Sequence, residues 1–163
     1  MVFLEKLSRI LNQILIWVGC VFLSAMILLT CSNIFLRTVW LPIKGTFELM
    51  GYFGAVVTAF ALGYTQIGRG HIAVNVLTNT FSQKTQRVLA TFNSIICMAF
   101  FTFAAWQIAK WATTLRETGE VTETLRIIYY PFTYCLALGC AVLALVFLTD
   151  FLKALLPKKE ETK

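Results

Sequence analysis

Glu48 is the residue of this 163-residue chain whose type and placement most invite chemistry. It opens a long apolar run, and a carboxylate inside a membrane span is by default a functional hypothesis, as a cation or proton site. Its depth points elsewhere. It lies about one turn from the end of its run, whereas a carrier builds its central site near the bilayer midplane. A structural or inter-subunit ion pair is the leading reading, with Arg37 at the end of the preceding run as partner. A cation site and a solvated helix-end acid remain alternatives. The other reactive groups suggest little catalysis. His71 is the single histidine, so a bis-histidine haem cannot be built within one chain. It follows a glycine turn and reads as an interfacial polar residue. Cys20, Cys31, Cys97, Cys135 and Cys140 all fall in apolar runs without a CxxC pair, and read as small packing residues rather than disulfides or metal ligands. No Ser/His/Asp set, Walker loop or dinucleotide fingerprint is present. No catalytic, cofactor-binding or metal-ligating residue is assigned, and the chain is not read as an enzyme.

The elements that must position these residues are four apolar runs, at about 10–36, 47–64, 88–109 and 131–156. Each is long enough to cross a hydrocarbon core about 30 Å thick at about 1.5 Å per residue. Hydrophobic residues make up 58% of the chain, and the mean hydropathy is +0.76, too apolar for a soluble domain of this size. Barrel strands would alternate polar and apolar residues, and these runs do not. The expectation is a single all-α integral membrane domain with four transmembrane helices. The first run is too long for a signal-peptide core and reads as a retained anchor.

The net charge of +6 does not point to nucleic acid, because the basic residues sit in the tails and connections. With the N-terminus cytoplasmic, the inner side holds Lys6, Arg9, Arg69, Lys84, Arg87, Lys153, Lys158, Lys159 and Lys163. The outer side holds Arg37, Lys44, Lys110, Arg116 and Arg126. This asymmetry favours both termini in the cytoplasm. Asp150 counts with the inner acids.

Along the chain, Met1–Arg9 reads as an interfacial turn leading into the first span. Thr30 and Asn33, near the outer boundary, reach either interfacial water or a neighbouring helix. Trp40, Trp111, Tyr129 and Tyr130 are interfacial anchors. Pro42 and Gly45 interrupt the helix, and Thr46 is positioned to cap the second span. Within that span Gly51, Ala55, Ala59 and Gly63 recur every four residues and predict a close-packing face for another helix, in this chain or another. Gly68 and Gly70 predict a helix break. The uncharged stretch 72–81 predicts a helix lying along the cytoplasmic surface between spans two and three, with Arg69, His71 and Asn75 as a boundary motif. Pro131 suits the first turn of span four. The tail 157–163 reads as disordered.

In order and spacing these features resemble one family. Asn33-Ile34-Phe35-Leu36-Arg37, then Trp40, then Glu48 opening a small-residue-rich span, then a glycine turn and His71-Ile72-Ala73-Val74-Asn75, resemble the small membrane subunit (DctQ-like, the Q component) of tripartite ATP-independent periplasmic (TRAP) transporters. Thr122–Leu125 followed by Pro131 resembles the family's Thr-x-x-Leu segment before span four. Asn75 stands where the family usually has Asp, and Phe132 where it often has Trp. The resemblance covers nearly the whole chain. It implies the cytoplasmic membrane of a bacterium or archaeon and a large multi-span membrane subunit as partner, which binds substrate and sodium and moves them by an elevator-type motion. It further implies a periplasmic binding protein that delivers substrate, generally an organic acid. The small subunit would enlarge the fixed scaffold, with no cofactor of its own. The alternatives are a small dimeric cation-coupled exporter using Glu48, and a membrane anchor for a redox enzyme.

Overall fold

The computed structural model describes residues 2–68 and 83–155. They form four helices: α1 (Val2–Val39), α2 (Thr46–Ile67), α3 (Gln83–Thr118) and α4 (Tyr130–Leu155). All four are long and apolar enough to cross a membrane, as uninterrupted hydrophobic runs dictate. The segment read as a separate interfacial turn, up to Arg9, is continuous with α1, with an Arg9–Glu5 ion pair one turn apart at 3.2 Å. With 38 residues, α1 is about 57 Å long, well beyond a hydrocarbon core of about 30 Å. α3, with 36 residues, is similar, and it continues through Arg116 to Thr118 in what reads as outer loop.

The packing order follows from which faces are apolar and small. α4 contacts each of the other helices, whereas α3 packs chiefly on α4. α1 runs antiparallel to α2, with Phe22 against Phe53 and Thr30 against Met50. α2 and α4 run parallel: Tyr52 stacks on Phe132, Ala59 meets Gly139, and Gln66 donates to Asp150. α3 and α4 are antiparallel, tied by the Phe101–Phe147 stack and by Thr113 and Tyr134, whose hydroxyls lie 3.1 Å apart. The core sits among α1, α2 and α4, around Leu15, Val56, Ala59, Phe60 and Val142. α1 and α3 flank this centre and present broad apolar faces outward, including Trp17, Val21, Leu28, Phe92, Phe100 and Phe103. Connections 40–45 and 119–129 therefore meet at one end of the bundle, the loop end. The start of α1 and the end of α4 share the opposite, terminal end.

The boundaries have local causes. Trp40 donates its N–H to the Leu36 carbonyl, and the chain then leaves α1 through Pro42. Gly45 caps α2 in the left-handed region at φ 74°, a conformation glycine adopts without a Cβ penalty. Thr46, read as the cap, is instead the first residue of α2, and its hydroxyl donates back to the Ile43 carbonyl at 2.8 Å. Gly68 ends α2, donating its N–H to the Tyr64 carbonyl. Pro131 falls in the first turn of α4, where its missing N–H breaks no helical bond. The surface helix expected over 72–81, with Arg69, His71 and Asn75, and the tail 157–163 lie outside the described residues.

Candidate functional site

The residues that carry the motif pattern converge at the loop end. Asn33, one turn before Arg37 in α1, turns its side chain towards the first connection, where its Oδ1 accepts the Ile43 N–H at 2.8 Å. Asn33 thereby holds its own loop, a partner that neither of its two readings, interfacial water or a neighbouring helix, had named. Five residues after Ile43, Glu48 occupies the first turn of α2, where a carboxylate also complements the helix dipole.

The second connection is a tight hairpin. Val121 and Ile128 form an isolated antiparallel bridge, and Thr122 donates its N–H to the Ile127 carbonyl at 2.9 Å. The Thr122 hydroxyl, almost fully buried, accepts the Ile127 N–H at 3.1 Å. Closing the hairpin places Arg126 at φ 52°, costly for a side-chain-bearing residue. The turn leaves two amides pointing towards α2, and Glu48 receives both: Oε1 accepts from Thr124 N–H at 2.9 Å and Oε2 from Leu125 N–H at 3.2 Å. Leu125 lies over Gly45, filling the space a Cβ there would need. Beneath the carboxylate, Tyr52 packs edge-on to Tyr129 with ring centroids 5.6 Å apart and stacks on Phe132 at 4.7 Å.

The ion pair expected between Glu48 and Arg37 does not form within this chain: Glu48 is held by the hairpin amides, and among the described residues Arg37 makes no ion pair with it. The physical reason is supply. A turn with unpaired N–H groups needs an acceptor, and hydrogen bonds to a charged acceptor are the stronger kind. What this arrangement does chemically is bind backbone, joining the start of α2 to the connection between α3 and α4.

Trp40 and Trp111 are exposed, while Tyr129 and Tyr130 are half-buried. Lys110 lies over the Trp106 ring at 5.9 Å, a cation–π contact.

The small-residue series divides. A repeat of four drifts about 40° per step around a helix of 3.6 residues per turn, so Gly51 and Gly63 lie about 120° apart. Ala59 and Gly63 are buried: the Ala59 carbonyl approaches Gly139 of α4, and Gly63 lies against Asn12 of α1. Gly51 is exposed, Ala55 is half-buried, and a Cβ built at Gly51 or at Gly54 meets no atom within 4 Å. The terminal-end half is thus used within the chain, and the loop-end half remains open on its surface.

Two polar features escape the sequence reading. Asp150, counted there as a cytoplasmic acid, lies within α4 and accepts a hydrogen bond from Gln66 at 3.1 Å. Its place inside an apolar run was the available signal. Asn12 is buried at the terminal end of α1, which spacing alone does not reveal.

A family model described as "Tripartite ATP-independent periplasmic transporters, DctQ component" matches residues 26–156. Neither the curated proteins nor the solved structures give a significant match. The matched stretch runs from the middle of α1 to the end of α4 and contains the whole loop-end assembly. The four spanning helices make this a multi-pass membrane protein, and with most of its length matched, the chain belongs to the DctQ component family of the tripartite ATP-independent periplasmic transporters.

Proposed function

We propose that this chain is the accessory scaffold subunit of a sodium-coupled importer of organic acids, set in the cytoplasmic membrane of a bacterium or archaeon with both termini inside. A large multi-span subunit would hold substrate and sodium and carry out the elevator-type motion, and a periplasmic binding protein would deliver the substrate. Family membership supports the assignment to such a transporter. The observation that carries the scaffold reading is the use of Glu48. The carboxylate that could have coupled transport to an ion spends both oxygens on the amides of Thr124 and Leu125. A group committed to holding two connections together serves a rigid body better than a moving carrier. The open surface of α2 at Gly51 and Gly54 supplies room for a helix of another subunit to approach closely.

The test is co-expression with the large membrane component of the same transporter, followed by purification and reconstitution with the binding protein. The chain is expected to co-purify with the large component, and sodium-dependent uptake is expected to be lost when it is omitted. A chain that never co-purifies with a large partner, and that transports alone in liposomes, would overturn the proposal. Glu48→Gln separates it from the exporter alternative. Under the scaffold reading the variant loosens the loop end or the assembly; in an exporter it abolishes proton-coupled efflux with assembly intact.

A further inference from the structure

At the terminal end of the α1–α2 hairpin, two observations meet that the transport reading does not use. Asn12 is only 1% exposed. Its Nδ2 donates to the Ser8 carbonyl one turn earlier at 2.8 Å, but among the described residues its Oδ1 has no conventional hydrogen-bond donor. A buried amide oxygen left bare is costly, so its surroundings should offer some compensation. Opposite it lies Gly63, also buried. A Cβ built on Gly63 would collide with Asn12 Oδ1. The volume a side chain would occupy at position 63 is therefore filled by the Asn12 amide, and an α-hydrogen of Gly63 points at the bare oxygen. Such α-hydrogens are weak donors at close helix–helix contacts, and membrane helices use small residues and side-chain amides to approach one another.

We propose that Asn12 and Gly63 form an interlock, in which the Asn12 carbonyl seats on the Cα of Gly63, accepts its α-hydrogen, and fixes the register of α1 on α2. Because Gly19 and Phe60 also meet along this interface, with the Phe60 Cβ 3.7 Å from a Cβ built on Gly19, a slide of one helix past the other would break two fitted contacts together. Near the loop end Asn33 ties α1 to the connection that leads into α2. The hairpin is thus held at both ends, and α1 neither slides nor rotates on α2. This inference concerns the chain's own fold and stands whether or not the transport proposal does.

The experiment is compensation in the full-length chain purified in detergent. The midpoint for loss of monodispersity on heating is measured for the parent, Asn12→Ala, Gly63→Ala and the double variant. Gly63→Ala is expected to lower the midpoint by several degrees. Asn12→Ala/Gly63→Ala is expected to recover part of that loss, because removing the amide vacates the space the new methyl needs. Gly63→Ala indistinguishable from the parent, or a double variant no better than Gly63→Ala, overturns the interlock. Should Gly63→Ala fail to accumulate in membranes, recovery of accumulation in the double variant supports it and continued failure refutes it.

Discussion

Substituting Gly139 by Ala is the sharpest probe of the packing between α2 and α4. A Cβ at that position would lie 2.7 Å from the Ala59 carbonyl oxygen and 2.8 Å from the Ala59 carbonyl carbon and Cβ. The first distance is about 0.7 Å short of the 3.4 Å at which ordinary contact begins. The obstructing atoms are backbone and a Cβ, so no rotamer change clears them, and the two helices must separate. Around this contact lie Val56, Phe60 and Val142, all buried. A gap of 0.5–1 Å forfeits about a quarter to a half of each van der Waals contact it opens. Overpacking of this kind costs about 1–3 kcal/mol, and a lost Cα–H···O contact to the Ala59 carbonyl adds about 0.5–1 kcal/mol. The better helix propensity of Ala returns up to about 1 kcal/mol. The expected net loss is about 0.5–4 kcal/mol, roughly 1–16 °C in thermal midpoint for a chain of this size. Gly51→Ala is the control, because no atom lies within 4 Å of its Cβ position, and the isolated chain should tolerate it without loss, gaining up to about 1 kcal/mol from the same propensity. Both would be read by thermal unfolding in detergent. A Gly139→Ala chain as stable as the parent, or a Gly51→Ala chain equally damaged, would refute the packing argument.

Glu48→Gln replaces one of the two acceptor oxygens with a donor facing an amide, so the 119–129 hairpin should open more often; limited trypsin digestion is expected to cleave after Arg126 faster than in the parent. Arg37→Ala should leave that cleavage rate unchanged, since Arg37 does not hold Glu48, and an equal acceleration would restore the ion-pair reading. Asn33→Ala removes the acceptor for the Ile43 N–H and should cost about 1 kcal/mol, measured as a lower thermal midpoint with faster amide exchange at Ile43. Gly51→Leu should fold normally as an isolated chain yet reduce co-purification with the large membrane component, because it roughens the open half of the small-residue series.

The four helices were legible because a span declares itself over some twenty consecutive apolar residues, a signal that no single substitution erases. Glycine and proline also marked helix ends at Gly45, Gly68 and Pro131, because their backbone constraints act locally. Which faces met was not legible. The four-residue series from Gly51 to Gly63 looked like one stripe, but its drift around the helix put half of it inside and left half outside. The partner of Glu48 was misjudged for a related reason. Residue types suggested another charge, Arg37, whereas the groups that claimed the carboxylate were main-chain amides of Thr124 and Leu125, inside the Thr-x-x-Leu segment, and a main-chain amide is carried by every non-proline residue whatever its side chain. Asn12 escaped notice for the same cause: its burial depends on Gly63, fifty-one residues away.

The positions that made the chain resemble its family can now be given a physical reason. Asn33, Glu48, Thr122 and Leu125 are scattered through the sequence, yet each acts on one of two short connections at the loop end. Connections there carry main-chain groups that no helical ladder pairs, so each needs a partner from elsewhere. Asn33 and Thr122 each accept a backbone N–H, Glu48 accepts two, and Leu125 covers the glycine that turns the chain into α2. None of these roles needs a substrate, an ion or a proton. Each instead removes freedom from a loop, so the start of α2 and the connection between α3 and α4 behave as one piece. A subunit that moved its own helices to carry cargo would have to break these bonds in every cycle. Under the proposed scaffold role the chain braces a moving partner and keeps them throughout.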